Sequence, residues 1–506
     1  MQVSLLTTTI AERLPEILES VRHLGPELLL LAGLVVVIIA DLFLPEDNKT
    51  VLNWLAMIVT LMLVAVCILQ WHNPGIDFGR PLFGTLLYQD HLSVFFKIII
   101  ALGGFFTILM QMGERRDKGQ GEFLSLVLTL LLAGLFMTMS RNLMSIYLSV
   151  ELISICSYAL AGFRFRESGA EGSLKYILFG AMSSAIMLYG FSWFYGLTGT
   201  LDILDPAFIK GLAAASPALL ATATIMTLAG LFFKASLFPF HIWTPDVYEG
   251  APTPVVALLS VVPKLAALVI LLRLVQVLSP STGAAHALSF PLQPFLIIVS
   301  ILSMLVGNFS ALLQKNPKRM MAYSAIAHGG FLLGAVAAGS TSGMRAMLFY
   351  GFVYLLMNFG AFFFFYIAGR RLGIEEMEGY KGLGKKNILA SLCLLVIMVS
   401  LTGLPPTAGF SAKLFLFTAI YEAFAQEGSA LLLVLFVIGL LNTVVSLFYY
   451  LKVPYYLFFK EKGTSDSPSP FRIPDLIFLS TATILLLALF LGSHWLMQWV
   501  NIVSFA

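Results

Sequence analysis

The chain has 506 residues, of which 59% are hydrophobic and only 11% charged, with a mean hydropathy of +0.91. Soluble domains carry roughly 25% charged residues, which excludes a soluble enzyme and makes a nucleic-acid partner out of place. The formal net charge of +3 says little, because in such a chain the placement of charge matters more than its sum.

Repeated apolar runs near 20 residues predict an all-α polytopic membrane protein whose surroundings are the lipid bilayer. About fourteen transmembrane helices are expected, starting near Glu27, Leu52, His91, Phe123, Asn142, Gly172, Pro217, Thr253, Leu292, Met320, Ser342, Asn387, Ser429 and Asp475. The longest polar connections, 113–122, 369–387 and 459–474, leave no room for a soluble domain. The first 22 residues carry Glu12, Glu16 and Glu19 and lack a basic start, so no cleavable signal peptide is expected. Cys67, Cys156 and Cys393 lie far apart in apolar runs and read as buried small side chains.

Loops after odd-numbered spans hold 19 lysines and arginines, against 6 on the other side. That bias predicts cytoplasmic odd loops and both termini outside. Five cations remain within the spans: Lys97, Lys234, Lys264, Arg273 and Lys413. Lys97 and Arg273 are close enough to span ends to snorkel. The other three are deep, where a charge costs about 2.5–3.5 kcal/mol on the insertion scale.

Taken along the chain, the deep polar residues begin with Glu151. It is the only acid of span five, and an ion pair with Lys234 is the economical expectation. In span seven Lys234 precedes a break at Phe238-Pro239-Phe240, and His241 follows the break. Prolines loosen backbone hydrogen bonds and are tolerated where the freed groups face protein or water. Lys264 stands beside Pro263 near the middle of span eight, where burial disfavours the charged ammonium and favours proton exchange. His328 lies in span ten beside Gly329-Gly330, and His241 and His328 are candidate relays. The remaining histidines, His23, His72, His91, His286 and His494, read as interfacial. Span twelve breaks at Leu404-Pro-Pro-Thr-Ala-Gly409, near Lys413.

The two breaks are five spans apart, an odd number, so a second copy of a five-helix unit would be inverted in the membrane. Paired interrupted helices in inverted halves point to a transporter's ion site. The expected units are spans 4–8 and 9–13, which divides the chain into 1–114, 115–285, 286–458 and 459–506. No nucleotide-binding loop, Cys-x-x-Cys pair or dinucleotide fingerprint occurs. Energy must then come from an ion gradient or from partner subunits.

Over nearly its whole length the chain resembles the antiporter-like membrane subunits of bacterial NADH:quinone oxidoreductase, respiratory complex I. The sharpest piece is Trp243-Thr-Pro-Asp-Val-Tyr-Glu-Gly-Ala-Pro-Thr-Pro-Val255, which is more similar to the N type than to the M or L type. The family's membrane glutamate matches Glu151, and its three membrane lysines match Lys234, Lys264 and Lys413. The M type carries glutamate at the last of these positions, and the L type is longer, with a lateral helix. The resemblance implies a proton-translocating subunit without a redox centre of its own. NADH, FMN, iron–sulfur clusters and quinone would belong to partner subunits, and the M, L and K types would be its membrane neighbours. The implied route enters near Lys234, passes His241 and Lys264, crosses by His328 to Lys413 and leaves to the outside, with Glu151 and Lys234 as the switch. A multisubunit Na⁺/H⁺ antiporter subunit is the alternative, which the Val-Tyr-Glu-Gly stretch disfavours.

Overall fold

A computed structural model describes residues 14–45, 48–73, 78–112, 119–163, 167–278, 291–460 and 471–504. Glu12, Arg13, Arg115, Arg116, Lys118, Arg164, Arg166, Lys462 and His286 lie outside the described residues. The spans are Gly25–Phe43, Thr50–His72, His91–Met112, Gln120–Met139, Leu143–Ala161, Glu167–Thr198, Pro217–Ala235 with Trp243–Gly250, Thr253–Leu278, Leu292–Leu312, Pro317–Ala337, Thr341–Leu372, Ile388–Thr402 with Ala408–Glu427, Ala430–Phe459 and Ile473–Leu491. They are numbered one to fourteen below. Every expected start lies within five residues of an observed one.

Local chemistry sets the boundaries. Asn142 and Asn316 cap spans five and ten with side-chain oxygens that accept from backbone N–H groups, and Ser340 caps span eleven in the same way. Pro217 and Pro317 take first-turn positions, where a missing N–H costs nothing. Spans eleven and twelve end on Gly373 and Gly428 in the left-handed conformation.

Spans eight, ten and eleven form the centre. The whole apolar window of span eight is buried, and 94% of those of spans ten and eleven. Spans one, two, thirteen and fourteen are mostly exposed and present their leucines, isoleucines and valines outward, as lipid-facing helices do. Spans seven and twelve are interrupted where the prolines fall, and both breaks contain a cis X–Pro peptide, Phe238–Pro239 and Pro405–Pro406.

Three features depart from the expectations. A small antiparallel hairpin, β1 (Arg80–Leu82) and β2 (Leu87–Gln89), precedes span three. A short helix, Ser493–Ile502, follows span fourteen. Lys97 and Arg273 do not snorkel: Lys97 is fully buried 2.9 Å from Glu27, and Arg273 pairs with Asp90 at 2.9 Å while donating to the Thr138 carbonyl. Carboxylates at the starts of spans one and three hold them inside. The three cysteines are buried free thiols.

Candidate functional site

The first half of span seven ends one residue past Lys234. Ser236 turns left-handed (φ 56°), and the Leu237 N–H reaches back to the Phe232 carbonyl at 2.8 Å. Lys234 therefore sits at a helix C-terminus, where the dipole favours a cation. The second half starts at Trp243, whose ring stacks on Tyr176 (4.1 Å) and whose Nε1 donates to the Phe233 carbonyl. This folds an aromatic cage around the lysine. Lys234 Nζ lies 5.1 Å from the Tyr158 ring, 5.3 Å from Tyr176 and 5.5 Å from Phe233, and has no hydrogen-bond partner.

The ion pair expected between Glu151 and Lys234 is not formed. Glu151 is half-buried, with one carboxylate oxygen unpartnered. It lies seven residues before Tyr158 on span five, about 10 Å along the helix. Among the described residues no hydrogen bond or ion pair joins Glu151 to Lys234.

The end of that half-helix meets spans eight and ten at Gly329. A Cβ there would stand 3.2 Å from the Ala235 carbonyl and 3.8 Å from Lys264 Nζ, so the absence of a side chain permits the approach. Lys264, fully buried, donates to the Ala325 carbonyl of span ten. His328 follows one turn on. Its Nδ1 is 2.7 Å from the Tyr350 hydroxyl and its Nε2 is 2.8 Å from that of Tyr450. Tyr450 also bonds the Ser324 hydroxyl. A neutral imidazole offers one donor and one acceptor, so the two hydroxyls are held in opposite roles. The Tyr354 ring closes the space, 5.0 Å from the His328 ring and 5.9 Å from Lys264 Nζ.

On the far side, the 15-residue half-helix Ile388–Thr402 ends at Gly403 (φ 87°). Lys413, from the half-helix that follows, donates to the Thr402 carbonyl at 2.7 Å and lies 4.6 Å over the Phe331 ring. Both Lys264 and Lys413 are within electrostatic reach of His328. Lys413 also lines a cavity of 420 Å³ with Gly403, Phe410, Phe417 and Tyr421.

The structure thus gathers Lys234, Lys264, His328 and Lys413 along the centre. His241 stays at the edge of the span-seven break, half-buried and stacked on Phe238 (5.7 Å). Its Nδ1 is unpartnered, and among the described residues no hydrogen bond joins it to the lysines.

Several polar groups escaped the sequence reading. Tyr350, Tyr450 and Ser324 hold His328, and a branch runs from Tyr449 to Asn308 (2.9 Å) and from Asn308 to Asn442 (3.0 Å). Tyrosines in apolar runs read as packing. Two asparagines in spans nine and thirteen were the available signal, since a buried amide needs partners. In the stretch Trp243–Val255, Asp246 pairs with Lys175 (2.7 Å) and Arg319 (3.0 Å), and Glu249 pairs with Arg319 (2.7 Å). These acids clamp the second half of span seven to spans six and ten. Among the described residues no group of His, Cys, Asp or Glu is arranged to hold a metal ion.

Residues 140–442 match the family described as "NADH:quinone oxidoreductase/Mrp antiporter, TM". The chain is 37% identical over 481 residues to NADH-quinone oxidoreductase subunit N of Chlorobium chlorochromatii, covering 94% of this chain and 92% of that one. A chain of respiratory complex I from Thermus thermophilus superposes with a TM-score of 0.77 at 31% identity, over 95% of this chain and 100% of that one. A chain of the Mrp complex from Dietzia sp. shares the fold (TM-score 0.80) at 20% identity, over 96% of each chain. The sequence and fold comparisons agree, and the chain belongs to the NADH:quinone oxidoreductase/Mrp antiporter family, among the N-type subunits of NADH:quinone oxidoreductase.

Proposed function

We propose that the chain moves protons from the cytoplasm to the outside as the N-type subunit of the membrane arm, driven by NADH oxidation and quinone reduction in partner subunits. NADH, FMN, iron–sulfur clusters and quinone belong to those partners, and the M-, L- and K-type membrane subunits are its neighbours. The observation that carries this reading is the buried line from Lys234 past Gly329 to Lys264, His328 and Lys413.

Charged groups at this depth are expensive and mark ion pathways. Protons enter from the cytoplasmic side at Lys234, with His241 at the adjoining break as an exchange point. Glu151, acting through space, biases the charge of Lys234. Lys264 receives the proton at Nζ. His328 accepts on one nitrogen and releases from the other, with Tyr350 and Tyr450 completing the connection. Lys413 takes it and delivers it to the outside. The breaks in spans seven and twelve support two inverted halves, spans 4–8 and 9–13, each contributing one half of the route.

The test is NADH-driven proton uptake by the assembled complex in liposomes. Lys264→Ala and Lys413→Ala are expected to lower the protons moved per NADH with assembly intact. Lys413→Glu, which keeps a titratable group, is expected to retain more. Wild-type proton yield from both alanine variants in an assembled complex would remove these lysines from the route.

A further inference from the structure

Spans one to three lie outside the two proposed five-helix units, yet they enclose a buried acid–base pair. Glu27, in the first turn of span one, faces Lys97 of span three at 2.9 Å, and both side chains are essentially inaccessible. A buried ion pair is weak evidence for stability, and intramembrane ionisable groups mark function by default.

Several buried polar atoms on the neighbouring elements have no hydrogen-bond partner among the described residues. Beyond the ion pair, neither Glu27 oxygen has a hydrogen-bond partner, and the same holds for Gln70 Oε1, Gln89 Nε2 and Arg273 Nε. Buried polar atoms are nearly always satisfied by protein or ordered water, and unpartnered ones at the same end of neighbouring helices are what buried water serves. Gln89 also accepts from Lys97 at 3.4 Å, and Gln70 donates to the His23 carbonyl at 2.9 Å. Cys67 is an electrostatic neighbour of both Lys97 and Glu27. The next residue of the hairpin strand, Asp90, holds Arg273 at the outer end of span eight, the helix that carries Lys264. Next to Gln70 in sequence, Trp71 lies edge-on to His91 (5.1 Å) and stacked on Trp499 (5.2 Å).

We infer that spans one to three build a second proton-exchange site, in which the Glu27–Lys97 pair, wetted through Gln70 and Gln89, passes protons between the outer end of span eight and outside water. It rests on the proton-carrying reading above. The step balances within the pair. The Lys97 ammonium gives a proton to the Glu27 carboxylate, leaving neutral amine and acid. The acid releases that proton to water on the side of Trp71 and His91, and the amine takes the next from water on the side of Arg273.

Two measurements on the assembled complex test it. In liposomes, Glu27→Gln is expected to lower the protons moved per NADH, and Glu27→Asp to keep more of them. Separately, Gln70→Cys is expected to react with a small membrane-impermeant thiol reagent applied from outside, detected on that peptide by mass spectrometry. The inference is overturned by a wild-type proton yield from Glu27→Gln, or by a Gln70→Cys thiol that reacts only from the cytoplasmic side or only after denaturation. If Glu27→Gln does not assemble, the thiol result alone decides. Lys264→Ala and Lys413→Ala run alongside separate the two readings: wild-type yields from both defeat the proton-carrying reading itself, whereas their loss with normal Glu27→Gln defeats only this site.

Discussion

Tyr450→Phe removes one oxygen from the centre of the proposed route and leaves the ring in place. That hydroxyl is 2.8 Å from His328 Nε2 and also bonds the Ser324 hydroxyl; all three residues are buried. Its loss leaves a buried imidazole nitrogen without its partner. An unsatisfied buried polar group costs about 1–3 kcal/mol. If that cost falls on the step that charges or discharges His328, transfer slows roughly 5- to 150-fold. Ring packing is unchanged, so assembly should survive. The assay is NADH-driven proton uptake in liposomes beside NADH oxidation with the gradient collapsed by an uncoupler. Proton yield is expected to fall while uncoupled oxidation stays near wild type. An assembled Tyr450→Phe complex that pumps normally would show that His328 is not relayed through Tyr450.

Other outcomes follow from the same geometry. Single cysteines placed between 369 and 387 should react with an impermeant reagent only from the cytoplasmic side; labelling in intact cells would reverse the topology. Glu151→Ala and Lys234→Ala should each lower proton yield, with the double change costing less than the sum, and strict additivity in the cycle would end the idea that Glu151 biases the lysine. Because the two groups are not in contact, the coupling should fall below the roughly 3–5 kcal/mol lost on breaking a direct buried pair. Gly403→Ala places a Cβ 2.6 Å from Lys413 Cδ at a φ of 87°. The left-handed turn alone should cost about 1–2 kcal/mol, read as a lower melting temperature of the solubilised complex together with reduced pumping; no change in either would show that the turn relaxes freely.

What could be read along the chain was what apolar run length and proline control. Span starts, both breaks and the three central lysines belong to that class, since each is a local signal. Pairing across the chain was not legible. Lys97 looked like a residue near a span end, because nothing local tells that Glu27, on another helix, closes on it. The same holds for Arg273 and Asp90. Glu151 and Lys234 look like natural partners by depth and charge, yet the Lys234 ammonium faces the Tyr158, Tyr176 and Phe233 rings instead. Tyr350 and Tyr450 hide among phenylalanines, since a ring in an apolar run shows its bulk and not the use of its hydroxyl. The hairpin before span three was missed because three-residue strands carry too little alternation to detect.

The shortness of the half-helix Ile388–Thr402 has an electrical consequence. Fifteen residues reach about 22 Å, short of a hydrocarbon core of about 30 Å. The negative end of its dipole is therefore planted inside the insulating layer and held against an ammonium, at Lys413. By the same measure Lys413 stands about 21 Å before Glu427, the end of the helix that follows the break, so on the proposed topology a proton there would be held well inside the layer from either face. Each 100 mV of membrane potential adds about 2.3 kcal/mol per elementary charge moved across the full layer. On the proposed route a proton at Lys413 would have crossed part of that drop, and the occupancy of Lys413 would register the membrane potential that the complex itself builds.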